Sequence, residues 1–174
     1  MREFILRPWR PDDAADIAAA ADDPEIAQFL RNRFPSPYTL GDAEWFIGDC
    51  IAHEGCRRLD RTIEVGGAAA GGISVTLGSD IYDRSAELGY WLARKHWGRG
   101  IVTSAVRQIC AEAFSSFDIV RIYAEPFECN RASRRVLEKA GFTFEGTLRS
   151  SVHKNGRILS SCMYSILRGE AVRA

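Results

Sequence analysis

The stretch from Arg94 to Phe114 constrains this chain more than any other. Gly98 and Gly100 stand inside the basic run Arg94-Lys95-His96-Trp97-Gly98-Arg99-Gly100, and an amphipathic segment follows at once. Ile101, Val102, Ala105, Val106, Ile109, Cys110, Ala113 and Phe114 recur at helical spacing and form one apolar face. The spacing predicts a helix that starts near Arg99 or Gly100. A helix start carries unpaired N–H groups and partial positive charge. Glycines keep side chains away from those groups, and Arg94, Lys95, His96 and Arg99 add cationic character. Together these features suit a diphosphate cradle. A tight turn with solvated basic residues is the other reading, and the glycine pair alone does not separate the two.

The flanking sequence places this loop between a strand and a helix. Ser85 to Leu92 alternates and is rich in β-formers. Before it, Arg2 to Arg7 reads as a strand ending at Pro8. Pro11-Asp12-Asp13 opens a helix with Asp12 as cap and with Ile17 and the alanines inside. Asp23-Pro24 opens a short helix through Phe29 and Leu30. Pro35 and Pro37 make Arg31 to Pro37 a loop. Thr39 to His53 is helical again and carries Trp45, Phe46 and Ile51, which wall a pocket or pack a core.

Arg58 to Val65 and Ala68 to Leu77 read as strands joined at Gly66-Gly67. Gly71-Gly72 within the second implies a bulge or a close backbone approach. After the anchor helix, Val120 to Glu125 is a strand. Asn130 to Ala140 is a helix capped by Asn130 and ended by Gly141. Phe142 to Ser151 and Ile158 to Leu167 form a hairpin about Asn155-Gly156. The pattern is α/β or α+β, expected as a single domain over residues 1–174.

Composition narrows the function. The 174 residues carry a formal net charge of zero, which argues against nucleic-acid binding driven by phosphate neutralisation. No apolar run approaches membrane-spanning length, and Met1-Arg2-Glu3-Phe4 does not open a signal peptide. A cytoplasmic protein, without a membrane partner, is the expectation. The five cysteines, Cys50, Cys56, Cys110, Cys129 and Cys162, show no zinc-type spacing and read as reduced thiols. Cys129, beside a helix start, is the one with a reactive alternative. His53, His96 and His153 form no metal-ligand pattern, so no metal is expected.

Four ordered blocks resemble the GNAT acetyltransferases, in the branch of the RimJ/RimL-type ribosomal-protein N-terminal acetyltransferases. They are Ala86-Glu87-Leu88-Gly89-Tyr90-Trp91-Leu92, the loop Trp97-Gly98-Arg99-Gly100-Ile101-Val102-Thr103, Asn130 through Phe142, and Glu145-Gly146-Thr147-Leu148-Arg149 with Lys154-Asn155-Gly156-Arg157. An aspartate common in the family's last strand is replaced by Ser160. The resemblance implies a mixed, twisted sheet splayed between its central strands, with acetyl-CoA in the split as acetyl donor. The loop Lys95, His96, Trp97, Gly98, Arg99 and Gly100 would hold the pyrophosphate by backbone N–H groups, with Thr103 adding a hydroxyl. A strand N–H near Trp91 or Leu92 would polarise the thioester carbonyl. Asn130 would meet the pantetheine arm, unless it serves only as helix cap. Ser133 would protonate the departing thiolate, unless it only bonds backbone in the first helical turn. The resemblance also allows a homodimer.

Acetyl transfer to an amine needs a proton acceptor and an oxyanion donor. Glu87, a carboxylate in a strand that otherwise reads as core, is the candidate base; the bland alternative is a salt-bridged glutamate. Tyr164 is a second candidate to meet the sulfur, or else an ordinary sheet tyrosine. The reading is direct transfer to a primary amine in a ternary complex, with a protein or peptide α-amine as the first acceptor. A small amine or amino sugar is the second acceptor, and a CoA-binding module without catalysis is the rival class. A nucleotide-phosphate protein is disfavoured, because Ile101 and Val102 stand where its lysine and hydroxyl belong.

Overall fold

Seven strands pair into one mixed sheet in the order β1-β2-β3-β4-β5-β7-β6. They are β1 (Ile5–Arg7), β2 (Arg58–Val65), β3 (Ala68–Leu77), β4 (Ser85–Leu92), β5 (Arg121–Ala124), β6 (Thr143–Lys154) and β7 (Arg157–Leu167). The helices are α1 (Ala14–Ala21), α2 (Pro24–Ala27), α3 (Leu40–Ala52), α4 (Ile101–Ser116), α5 (Arg131–Ala140) and α6 (Arg168–Ala171). The computed structural model describes residues 4–171, so the start of the expected first strand, at Arg2 and Glu3, lies outside them. Strands β1 to β4 form an antiparallel meander, β5 lies parallel to β4, and β7 and β6 continue antiparallel.

The sheet has a core on each face. Helix α4 buries Ile101, Ala105, Val106, Ile109 and Cys110 with Leu137 of α5 against β2 to β5. Its apolar face is the one its spacing predicts, except that Val102 is half-buried. On the opposite face Ile17 of α1 and Ile47 and Cys50 of α3 pack with Trp9, Tyr38 and Ala69. In α3, Trp45 is 73% exposed and Ile51 44% exposed, so the inner face is carried by Ala43, Ile47 and Cys50 instead.

Three boundaries differ from the sequence expectation. Helix α2 ends at Ala27, short of Phe29 and Leu30. Helix α4 begins at Ile101, after a left-handed Gly100. The first helix is introduced by a tight turn over Pro11–Asp13, and Asp13, not Asp12, organises it. Asp13 accepts the Arg10 N–H at 2.9 Å and takes both ends of the Arg7 guanidinium at 2.7 and 2.8 Å. Arg7 also reaches Glu64 at 2.5 Å, which ties β1, β2 and α1 together. Local spacing favoured Asp12; the long-range partner selected Asp13.

Gly71 shows why a small residue is needed in β3. Its pairing with Ile63, beside Glu64 with Ala69, leaves Ala70 as an extra residue. A Cβ on Gly71 would lie 2.4 Å from the Trp91 carbonyl oxygen. Both sequence alternatives, bulge and close approach, are therefore realised together.

Gly71→Ala should cost about 3 kcal/mol of stability in chemical denaturation, because backbone must shift to admit the methyl group. Burial opposes ionisation of Asp13, but Arg7 and the Arg10 N–H prevail and hold its carboxyl below the usual range. A depressed carboxyl contributes its stability above about pH 4 and loses it as pH falls through the folded value. Asp13→Asn should therefore cost about 3 kcal/mol at neutral pH, and the gap to the parent protein should close as pH falls through the lowered folded value.

Candidate functional site

The two central strands part company early. β4 pairs with β5 only at Ser85, Ala86 and Glu87, opposite Arg121, Ile122 and Tyr123. From Leu88 to Leu92 β4 is paired on its β3 edge alone. Ala93 donates to the Ala70 carbonyl at 2.7 Å, which extends the β3–β4 register. By antiparallel alternation the N–H groups of Trp91 and Gly89 also face β3, and those of Leu92 and Tyr90 face the gap. This corrects the expectation for Trp91: its N–H is spent in the ladder, and Leu92 and Tyr90 carry the free ones. The Leu92 carbonyl, on the same edge, accepts the Trp97 indole N–H at 2.7 Å.

Beside the gap stands the glycine loop. Arg94–His96 forms a single tight turn, and Gly98 and Gly100 adopt φ of +76° and +77°. A Cβ at either position would meet nothing within 4 Å, so the requirement is conformational, not steric. Left-handed residues alternating with ordinary ones gather successive N–H groups into an anion-binding nest. Among the described residues no acceptor engages the N–H groups of Gly98, Gly100 or Ile101, and no side chain caps α4.

The gap and nest open into one cleft of about 1040 Å³. Glu87, Trp91, Leu92, Asn130 and Ser133 line it. So do His96, Trp97, Gly98, Gly100 and Thr103 of the loop and helix start. Lys95 and Arg99 are exposed and lie outside the lining. Arg99 approaches the His96 ring at 3.3 Å, and Arg94 pairs with Asp23 at 3.0 Å.

Tyr164 is also outside. It is fully buried, donates to Glu138 at 2.9 Å and accepts from Arg134 at 3.1 Å. Its hydroxyl is committed to α5, so the geometry does not bring it to the gap. Helix α5 instead presents Ser133, whose hydroxyl lies 2.8 Å from that of Tyr90. Tyr90 also donates to the Ser133 carbonyl at 3.2 Å. Burial pushes the Tyr90 phenol up, with Ser133 pulling the other way. Asn130 Oδ1 accepts the Ser133 N–H at 3.1 Å, the expected cap, which leaves its amide N–H₂ for another partner.

Glu87 carries an ion pair with Arg31, which reaches it from the loop after α2. A second carboxylate, Glu125, lines the cleft just beyond the end of β5. Its Oε1 accepts the Ser161 hydroxyl at 2.6 Å, and Ser161 in turn meets Ser151 at 2.7 Å. Local sequence does not mark Tyr90, an ordinary β-former in its strand, or Glu125, which stands at a strand end where a carboxylate reads as solvated. Arg135 and Lys139 of α5 also line the cleft. Their four-residue spacing is a signal that sequence reading had available and left unused.

Comparison with known proteins agrees with this architecture. The acetyltransferase (GNAT) domain model matches residues 3–143. The N-acetyltransferase p20 of Bacillus licheniformis is 28% identical over 171 residues, 96% of this chain and 94% of its own. Mycobacterium smegmatis RimJ, solved with CoA-disulfide, has a TM-score of 0.86 at 26% identity, covering 96% of this chain and 83% of RimJ. RimL, solved with coenzyme A, has a TM-score of 0.84 at 20% identity, covering 96% of this chain and 95% of RimL, a likeness of fold. The fold is thus shared with known relatives along nearly the whole chain, which belongs to the GNAT acetyltransferase family, in its RimJ/RimL-like branch.

Proposed function

We propose that this protein transfers the acetyl group of acetyl-CoA directly to a primary amine, with the α-amine of a protein or peptide as acceptor. The observation that carries this reading is the divergence of β4 from β5 after Glu87, beside the N–H groups of Gly98, Gly100 and Ile101, which no acceptor engages among the described residues. The relatives solved with coenzyme A, RimJ and RimL, support the donor. RimL is a ribosomal-protein α-N-acetyltransferase, which supports the acceptor.

In this reading the pyrophosphate rests on the nest, and Thr103 adds its hydroxyl. Arg135 and Lys139 add positive charge on the same side. The Leu92 and Tyr90 N–H groups draw the thioester carbonyl toward β4 and hold the oxyanion. Asn130 donates its spare amide protons to the pantetheine arm. The ammonium first gives a proton to a carboxylate, the neutral amine attacks the carbonyl carbon, the C–S bond breaks, the amide nitrogen sheds its second proton to water, and the thiolate takes a proton from Ser133 that water replaces. Tyr90 holds the Ser133 hydroxyl in place and stays protonated at neutral pH.

Two carboxylates face the amine. Glu87 is engaged by Arg31, whereas Glu125 has one oxygen held by Ser161 and no partner on the other among the described residues. Glu125 is therefore the proton acceptor, and Glu87 draws the ammonium in.

Gly100→Val should raise the Michaelis constant for acetyl-CoA about 10-fold, since a branched residue at positive φ deforms the nest; an unchanged constant would count against it. Glu125→Gln should lower turnover about 100-fold and remove the acidic limb of the pH–rate profile, while Glu87→Gln raises the amine Michaelis constant more than it lowers turnover. Ser133→Ala and Tyr90→Phe should each lower turnover about 10-fold, and the double variant should lose little more than either, because the two hydroxyls act as one unit. An assay of free CoA release over a panel of amines and peptides tests the whole reading.

A further inference from the structure

Beyond the transfer site the cleft continues as a chamber on the α1–α3 face of the sheet. Asp60, Ser74 and Gly89 stand side by side on β2, β3 and β4 and face the same way. Gly89 has no side chain and Ser74 a short one, so the floor from β4 to β2 is open. Trp9, Phe34, Tyr38, Phe46 and Trp91 wall it. Trp9 and Phe46 meet edge to face at 5.4 Å, and Phe34 bridges Tyr38 and Trp91 at 4.9 and 5.9 Å. At the far end the side chain of Asp60 lines the cleft while only 2% exposed.

Asp60 is short of partners. Its Oδ2 is held by the Arg58 ion pair alone and accepts no aligned hydrogen bond among the described residues. Arg58 lies 3.0 Å away through Nε, but its Nη1 is bonded to Asp49 at 2.6 Å. One guanidinium thus serves two carboxylates. A buried acid with surplus negative charge is costly to keep unless something cationic completes it. Burial pushes the Asp60 carboxyl up against the pull of Arg58, which accords with that deficit.

Resting on the acetyltransferase reading, we propose that this chamber binds a second cationic group of the acceptor, between the aromatic walls and against Asp60. The rings offer the faces that cations prefer, and the acid supplies the charge. The span sets the size of the ligand. Two strand spacings separate Gly89 from Asp60, on the order of 10 Å, which sets the upper limit on the distance between the reacting nitrogen and the second cation. A short diamine lies within that limit, and so does a peptide beginning with a basic residue, between its α-amine and its side-chain cation.

The test compares acceptors that differ only in the second charge. Tetramethylene diamine is set against n-butylamine, and a lysine-led tripeptide against its norleucine-led analogue. Each is assayed by CoA release and by calorimetry on the CoA-bound enzyme. The charged member of at least one pair should be favoured on the order of 30-fold in kcat/KM or affinity. Preference confined to the first pair identifies a small diamine, and confined to the second a basic N-terminus. Asp60→Asn should bring the ratio near one. If that variant does not fold, Phe46→Leu should still lower the ratio several-fold. Equal treatment of both members of both pairs, or a ratio indifferent to the variant that folds, overturns the subsite while leaving the transfer reading intact. Absence of CoA binding and of turnover with every amine overturns the transfer reading itself.

Discussion

Everything in the site depends on two adjacent parallel strands that stay together for three residue pairs and then separate. A strand edge in a sheet interior normally satisfies its N–H and C=O groups with a neighbour. Here β4 runs on for five residues, Leu88 to Leu92, with one edge unpaired by β5. That edge is polar backbone held rigidly by β3 on its other side. It can bind an extended ligand as a missing strand would be bound, and it can aim an N–H at a reacting carbonyl without reorganising. Pro126, immediately after Glu125, keeps this segment beside β7 through its carbonyl, which accepts the Cys162 N–H at 2.9 Å, so it is β4 that turns away.

The two ends of the cleft differ in charge. The side formed by the glycine loop and α5 carries the N–H nest, His96, Arg135 and Lys139. The side formed by the N-terminal helices and β2 to β5 carries Glu25, Asp42, Asp49, Asp60, Glu87 and Glu125 against Arg31, Arg33 and Arg58. A net-neutral chain thus presents a basic surface to one ligand and an acidic one to the other. Such a division is the one that a polyanionic donor and a cationic acceptor would need. The Arg31–Glu87 pair fits the same scheme, since an arriving ammonium can take the place of the exposed guanidinium.

The legible parts of the fold share a cause. Helix α4 shows through its apolar period, α5 through Asn130 and Gly141 at its ends, and the last hairpin through Asn155-Gly156. Each signal depends on neighbours within a few residues. The misplaced parts depend on distant ones. Asp12 and Asp13 are equivalent by local spacing, and only Arg7, reaching across from β1, separates them. Tyr164 reads as a free hydroxyl in a strand until Arg134 and Glu138 of α5 close over it. Tyr90 and Glu125 pass as strand residues until the opened sheet brings one beside Ser133 and the other into the cleft.

By itself the amino-acid order determined the strand–glycine loop–helix unit, the family it resembles and most of the residues that line the cleft beside the glycine loop. Those are local patterns: periodicity, caps and positive-φ glycines act over one or two turns of chain. Tertiary structure alone decided where β4 leaves β5, which cleft carboxylate lacks an ion pair among the described residues, and that five aromatic rings and Asp60 share one chamber. Those facts arise from contacts between segments far apart in the chain, and their geometry exists only once the sheet has formed and both faces are packed.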